Sequence, residues 1–172
     1  MKIVLLGYMG CGKTTIGNQL AKKLSLNFTD LDQYIERKEL KSISEIFNEK
    51  GEIYFRKIEN KYLKNFIDEN DSYVLSLGGG TPCYANNINL ITNHKNLKSF
   101  YLKASISTLH NRLSENKSKR PLIATLSEEK LTEYIAKHLF ERAGFYERAS
   151  YSISINSKSI DTIITEIRII LH

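Results

Sequence analysis

Residues 2–14 read KIVLLGYMGCGKT, and this stretch decides the fold. Residues 7–14 fit the pattern G-x-x-x-x-G-K-[ST], in which glycines let the backbone wrap around phosphates and aim its N–H groups at them. Lys13 supplies a positive charge for the β- and γ-phosphates, and the Thr14 hydroxyl can ligate Mg²⁺. The apolar run before the loop predicts a buried strand, and a helical pattern follows it. The stretch therefore predicts a nucleotide site on an α/β fold, made by Gly10, Cys11, Gly12, Lys13, Thr14 and Thr15.

Strands and helices alternate along the rest of the chain. Short apolar runs predict strands at 2–6, 26–29, 73–77, 98–102 and 151–155. Helical spacing and capping residues predict helices at 14–24, 43–51, 53–66, 105–113, 128–149 and 159–171. This alternation predicts a parallel sheet covered by helices on both faces, in one domain over residues 1–172. Polar and basic residues around Pro121 predict a loop at about 114–127.

Composition excludes several classes of protein. The 172 residues are 41% hydrophobic and 26% charged, which is typical of a globular chain, and no apolar stretch reaches the length of a membrane span. The apolar run at the N-terminus is too short for an export signal, so we expect a cytoplasmic protein. Cys11 and Cys83 form neither a metal-ligand spacing nor a disulfide framework, and a reducing compartment favours free thiols. The net charge of +6 suits a pocket for phosphates and a carboxylate. It also suits nucleic acid, but no nucleic-acid-binding signature accompanies it.

The phosphate loop leaves the class of nucleotide enzyme open. Guanine specificity usually needs an Asn/Thr-Lys-x-Asp motif, which this sequence lacks, and motor ATPases are usually larger. The remaining class is the small-metabolite kinases, in which a second substrate is held beside the γ-phosphate of ATP.

Two carboxylates follow the second predicted strand. If the segment stays extended, Asp30 and Asp32 point the same way into the crevice beyond the strands. One can then serve a magnesium ion, and the other can orient the attacking hydroxyl or accept its proton. The alternative makes Asp30 a helix N-cap and Asp32 a solvated acid in the first turn.

Three glycines end the third predicted strand, and several arginines could act beside them. Gly78, Gly79 and Gly80 indicate backbone lying against a ligand, although a flexible loop would also fit. Arg56 and Arg142 each lie on a predicted helix, where Arg56 with Glu59 could equally form a surface ion pair. A further arginine in the loop, Arg120, could close over phosphates, and Arg112 could stack on a purine or be solvated.

Together these segments resemble the shikimate kinase family. The matching stretches are GYMGCGKTTIG at 7–17, DLD at 30–32, SEIFNEKGEIYFRKIE at 44–59, GGG at 78–80, RPLI at 120–123 and RAGFY at 142–146. They occur in the family's order over nearly the whole chain. One departure is Leu77, which stands where a hydroxyl residue often precedes the glycines.

The resemblance implies transfer of the γ-phosphate of ATP to the 3-hydroxyl of shikimate, in aromatic amino acid biosynthesis. We expect the protein to act on this small molecule as a monomer. It implies a five-stranded parallel sheet in the order 2-3-1-4-5. Asp32 would contact the reacting hydroxyl, and Arg56 and Arg142 would hold the carboxylate of shikimate. Gly79 and Gly80 would line its ring, and Arg120 would be the lid arginine on ATP. Thr14 and Asp30 would serve Mg²⁺.

Two other functions remain open at this point. A gluconate-kinase-like enzyme would share the phosphate loop and lid, but not the F-R-x-x-E and G-G-G segments. A catalytically dead regulatory module would have lost Lys13, Asp32 or the lid arginine, and all three are present. A separate hypothesis concerns Cys11, whose place before a helix N-terminus would make it a reactive thiol, unless it is simply a small residue at a variable position.

Overall fold

A computed structural model describes residues 1–115, 117 and 123–171. The strands are β1 (Lys2–Leu6), β2 (Asn27–Asp30), β3 (Tyr73–Ser76), β4 (Leu97–Lys103) and β5 (Tyr151–Ser154). The helices are α1 (Lys13–Leu24), α2 (Leu31–Glu39), α3 (Ile43–Glu69), α4 (Asn87–Thr92), α5 (Ile106–Glu115), α6 (Glu128–Tyr146) and α7 (Ile160–Leu171). A short 3-10 helix, Thr81–Cys83, follows the glycines.

The five strands form one parallel sheet in the order β2-β3-β1-β4-β5. Successive side chains of a strand point to opposite faces, and Ile3, Val4, Leu5 and Leu6 are all fully buried. The central strand is therefore covered on both faces, as its continuous apolar run predicts. This confirms the expected fold and brings the carboxyl ends of β1, β2 and β3 to one edge.

Helix α3 changes direction at Gly51. The backbone there has φ 78° and ψ 173°, which is not helical, and this confirms the predicted interruption. Across the bend the rings of Phe47 and Phe55 lie 4.6 Å apart. The bend thus separates the capped first part of α3 from the part that carries Arg56.

Two helices were not among the predicted elements, although the alternative interpretation of Asp30 as an N-cap implies the first of them. Helix α2 buries only Leu31 and Ile35, so its apolar stripe is too thin to show in the sequence. Helix α4 has six residues and lies in an asparagine-rich segment. Helix α6 ends at Tyr146, three residues before the predicted end. Within the described residues, no helix is long and apolar enough to cross a bilayer.

Candidate active site

A cleft of about 520 Å³ opens at the carboxyl ends of the central strands. Its walls come from the phosphate loop, the starts of α1 and α2, the glycine turn after β3, α5 and the start of α7. The residues of this wall that were predicted from the sequence are Gly10, Gly12, Lys13, Thr14, Thr15, Asp30, Asp32, Gly78, Gly79 and Arg112.

The phosphate loop needs glycine for two different reasons. Gly12 caps α1 with φ 95°, a left-handed conformation that side chains rarely adopt. A Cβ on Gly7 would lie 2.9 Å from the carbonyl oxygen of Leu102 on β4. The loop is therefore shaped both by its own dihedral angles and by its contact with the sheet.

Lys13 lies folded over this loop. Its side chain is 9% exposed, and Nζ donates to the carbonyl oxygens of Gly7, at 2.9 Å, and Tyr8, at 3.1 Å. Arg112 of α5 also contacts the loop, because its Nη1 donates to the carbonyl oxygens of Cys11, at 3.2 Å, and Gly10, at 3.4 Å. The two basic side chains thus flank the strand-to-helix turn, and Arg112 is not the freely solvated residue of the alternative interpretation.

The structure does not support the hypothesis of a reactive Cys11. Its side chain is fully buried, and its sulfur lies so close to Gly7 that a Cβ on that glycine would contact it. Cys83 is the more exposed of the two thiols. An alkylating reagent should therefore reach Cys83 before Cys11 in the folded protein.

Asp30 both caps α2 and contacts the phosphate loop. Its Oδ1 accepts from the backbone N–H of Asp32, at 3.1 Å, and its Oδ2 accepts from the Thr14 hydroxyl, also at 3.1 Å. The expectation that residues 30–32 stay extended is wrong, because α2 begins at Leu31. Both carboxylates nevertheless line the same cleft, so capping and a functional role coexist at Asp30.

Asp32 is an unusual carboxyl group. Burial, together with the nearby charges of Asp30 and Glu59, raises its pKa from 3.8 to about 6, although Lys13 opposes the shift. A carboxyl group with a pKa near neutrality can hold or release a proton at cellular pH. Asp32 therefore has the properties of a proton acceptor.

The three glycines let side chains approach the turn closely. A Cβ on Gly78 would lie 2.9 Å from Asp32 Oδ1, and one on Gly80 would lie 2.9 Å from Arg56 Nη2. A Cβ on Gly79 would lie 3.4 Å from the backbone nitrogen of Met9. The turn is closely packed, which rules out the alternative of a flexible loop.

Arg56 is held by carboxylates and an aromatic ring. Its Nη1 lies 2.9 Å from Glu59 Oε2, its Nε lies 3.3 Å from Glu52 Oε1, and its guanidinium lies 4.0 Å from the ring centre of Tyr84. Glu59 is 1% exposed, so the alternative of a surface ion pair is wrong. The buried partner fixes one edge of the guanidinium and leaves Nη2 against Gly80.

Arg142 approaches the same turn from α6. A Cβ on Gly79 would lie 3.8 Å from its Nη1. One helical turn further on, the Tyr146 hydroxyl donates to the Gly79 carbonyl oxygen at 2.6 Å. Burial raises the pKa of Tyr146 well above its usual value, so the hydroxyl keeps the proton that it donates. Both predicted arginines, which are far apart in sequence, therefore meet at one turn.

Sequence reasoning missed Ser76. Its hydroxyl is buried at the end of β3, lines the cleft and has no hydrogen-bond partner among the described residues. Ser76 thus supplies, one position earlier, the hydroxyl that Leu77 lacks. A serine next to the predicted glycine turn could have been recognised in the sequence. The described residues contain no group of three or more His, Cys, Asp or Glu side chains placed to hold a metal. Arg120 lies outside the described residues.

Comparison with known proteins gives a consistent result. The shikimate kinase family model matches residues 9–171. The shikimate kinase of Flavobacterium johnsoniae is 50% identical over 170 residues, which cover 99% of this chain and 98% of that protein.

Solved structures agree with the sequence relatives. The crystal structure of shikimate kinase from Bacteroides thetaiotaomicron is 34% identical, with a TM-score of 0.91, over 99% of this chain and 98% of that one. Shikimate kinase from Acinetobacter baumannii, solved in complex with shikimate, is 32% identical, with a TM-score of 0.85, over 99% of this chain and 92% of that one. This chain belongs to the shikimate kinase family.

Proposed function

We propose that this chain transfers the γ-phosphate of ATP to the 3-hydroxyl of shikimate, giving shikimate 3-phosphate and ADP. The observation that carries the proposal is the glycine turn, where Asp32, Arg56 and Arg142 meet beside the phosphate loop. A proton acceptor and two guanidinium groups are what a substrate with a reacting hydroxyl and a carboxylate requires.

The nucleotide would occupy the phosphate loop. Gly10, Cys11, Gly12, Thr14 and Thr15 would offer backbone N–H groups at the start of α1, where the helix dipole favours negative charge. Lys13 would exchange its two loop carbonyls for the β- and γ-phosphates. Its present bonds keep the ammonium group paired and close to where it is needed.

The nucleotide site has two further basic residues. Arg112 lines the same cleft near the start of α7, where the base would bind. For Arg120 we keep the role that the resemblance implies, as the lid arginine over the phosphates. An arginine in that place would stabilise the charge that develops during transfer.

Shikimate would bind across the glycine turn. Arg56 and Arg142 would hold its carboxylate, and the backbone at Gly78, Gly79 and Gly80 would lie against its ring. Asp32 would accept a hydrogen bond from the 3-hydroxyl, orient it towards the γ-phosphate and take its proton as the new P–O bond forms. The raised pKa of Asp32 makes it a stronger proton acceptor than an ordinary carboxylate.

A magnesium ion fits the oxygen atoms at one end of the cleft. The Thr14 hydroxyl lies 3.1 Å from Asp30 Oδ2, and the unpaired Ser76 hydroxyl lines the same space. Mg²⁺ prefers such oxygen ligands and usually keeps several waters, so Thr14 and Asp30 would suffice as its protein contacts, directly or through water. When bound, the ion would neutralise charge on the β- and γ-phosphates.

We further propose that the enzyme acts as a cytoplasmic monomer on small molecules.

The decisive experiment is an ADP-release assay with shikimate, quinate, gluconate and the methyl ester of shikimate. We expect shikimate to be the preferred acceptor and the ester to be poor, because esterification removes the charge that the arginines bind. Arg56→Ala and Arg142→Ala should each raise the KM for shikimate about ten- to a hundredfold, since a hydrogen bond to a charged group contributes about 1.5–3 kcal/mol.

The control variant is Arg168→Ala, which removes an exposed arginine from α7. It should leave both Michaelis constants unchanged. Equal rates with acid and ester, or arginine variants that lose affinity for ATP instead, would contradict the proposal.

A further inference from the structure

Thr81 is a buried residue for which the proposed reaction has no direct use. It stands immediately after the three glycines, and neither it nor its neighbour Glu59 is more than 1% exposed. Its hydroxyl donates to Glu59 Oε1 at 2.7 Å. The direction of this bond is fixed, because an ionised carboxylate can only accept.

The same carboxylate holds Arg56. Glu59 Oε2 accepts from Arg56 Nη1 at 2.9 Å, so both oxygens of Glu59 have a donor. With a donor on each oxygen the carboxylate is held in one orientation, and together with Glu52, which binds Nε, it orients the guanidinium. The edge that carries Nη2 then lies against Gly80, at the turn where the acceptor would bind.

Thr81 is itself fixed on both sides of its backbone. Its N–H donates to the Gly78 carbonyl at 3.1 Å, and its carbonyl accepts from Asn87 Nδ2 at 2.8 Å. Asn60 Nδ2 in turn donates to Asn87 Oδ1 at 2.7 Å. A continuous series of hydrogen bonds therefore joins Arg56 to α4 and back to α3.

We propose that Thr81 is a positioning residue for recognition of the acceptor's carboxylate. It acts through Glu59, whose orientation it fixes, and so aligns the guanidinium fork of Arg56 with the substrate. This inference rests on the proposed function, since it assumes that Arg56 binds a carboxylate. Without the hydroxyl, Glu59 Oε1 would lack a donor in a buried site, and the carboxylate would turn towards other donors and take Arg56 with it.

The test compares Thr81→Val, which has nearly the same shape but no hydroxyl, with Thr81→Ser, which keeps the hydroxyl. We expect Thr81→Val to raise the KM for shikimate about three- to thirtyfold, since a buried acceptor is left unpaired. The kcat and the KM for ATP should change less than about twofold, because neither depends on this fork. Thr81→Ser should restore most of the affinity for shikimate.

Thr92→Val is the matched control. Thr92 is a half-buried threonine at the end of α4, and its hydroxyl donates to the Ile88 carbonyl within that helix, at 3.0 Å. This variant should keep the wild-type KM for shikimate. If Thr92→Val raises the KM for shikimate as much as Thr81→Val does, the effect comes from a general loss of packing, and the proposal is wrong.

A second measurement places Thr81→Val in an Arg56→Ala background. If Thr81 acts through Arg56, the double variant should bind shikimate no more weakly than Arg56→Ala alone. An independent, additive loss would overturn the proposal.

The experiment also distinguishes failure of the proposed function from failure of the role of Thr81. A wild-type enzyme that ignores shikimate would remove the proposed function itself. A wild-type enzyme active on shikimate, with an unchanged Thr81→Val, would remove only the role of Thr81. If Thr81→Val and Thr81→Ala both fail to fold, the hydroxyl serves folding rather than recognition, and the proposal is wrong.

Discussion

Asp32 illustrates at the scale of one residue how a proposed catalytic group can oppose stability. Its pKa of about 6 in the folded protein lies above the usual 3.8, so ionising it costs more in the folded chain than in the unfolded one. The stability that this group contributes is greatest below about pH 4 and is lost as the pH rises to about 6. At neutral pH the folded protein therefore holds an unfavourable charge.

Asp32→Asn should make the protein more stable at pH 7 by about 1–3 kcal/mol, because it removes a charge that the site disfavours. The gain should nearly vanish at pH 4, where wild-type Asp32 is largely protonated. Urea denaturation of both proteins at the two pH values measures the difference. A variant that is equally stable, or less stable, at pH 7 would contradict the raised pKa.

The same substitution should reduce turnover about 10²–10⁴-fold, as is typical when a positioned proton acceptor is removed. ATP binding should survive, because Asp32 is proposed to contact the acceptor and not the phosphate loop. Calorimetric titration with ATP, beside a steady-state assay with shikimate, separates the two effects. Turnover close to that of the wild type would remove Asp32 from the mechanism.

The pH dependence of kcat/KM for shikimate should follow the same carboxyl group. We expect kcat/KM to fall below about pH 6, approaching tenfold for each further pH unit, because only ionised Asp32 accepts the proton. Arg168→Ala should show the wild-type profile. A plateau that extends down to pH 5 would show that no group with this pKa is required.

At the scale of secondary structure, Gly51 and Gly144 form a natural comparison. Neither would bring a Cβ within 4 Å of another atom, but Gly51 has φ 78° and Gly144 lies within α6. Any difference between their alanine variants must therefore come from the backbone and not from packing.

Gly51→Ala should destabilise the protein by about 1–3 kcal/mol, because an L-residue is strained at that φ and ψ. Gly144→Ala should stabilise it by about 0.5–1 kcal/mol, because alanine loses less conformational entropy in a helix. Chemical denaturation of the two variants in parallel gives both values. Equal effects of one sign would contradict this account of the bend.

The same scale shows what the sequence can predict. The five strands, the interruption at Gly51 and the Ser105 cap of α5 follow from local patterns, and the structure confirms them. The order of the sheet came from the family resemblance, since strand order depends on contacts across the whole chain. Helix α2 was missed because residues 30–32 fit an extended segment as well as a capped helix.

The site was predictable where a residue type carries its own chemistry. The phosphate loop, the paired carboxylates and Arg112 line the cleft, and Arg56 and Arg142 meet at the glycine turn. The support for those residues was not predictable. That Glu59 accepts from Thr81, or Gly79 from Tyr146, depends on tertiary distances that no spacing in the sequence encodes.

At the scale of the whole molecule, each substrate should stabilise the fold through its own set of residues. A ligand present at a hundred times its dissociation constant stabilises a protein by about 2.7 kcal/mol. We expect shikimate and ATP each to raise the melting temperature of the wild type. Arg56→Ala should lose much of the shift with shikimate and keep that with ATP, whereas Lys13→Met should lose much of the shift with ATP. Thermal denaturation of the three proteins with each of the two ligands measures six shifts, and a pattern common to both variants would contradict two separate subsites.

The central place of β1 in the sheet has a consequence for how the protein is made. Its partners are far along the chain, because Lys2 pairs with Tyr73 on one side and with Leu97 on the other. At about 5–20 residues per second, a ribosome needs roughly 5–20 seconds to synthesise the chain between Lys2 and Leu97. Until β3 has been synthesised the apolar strand has no partner strand at all, and until β4 has been synthesised the loop that follows β1 has no β4 to rest on. The nascent chain therefore depends on keeping that strand from aggregating, and the ability to bind a nucleotide should arise only after β4 has left the exit tunnel.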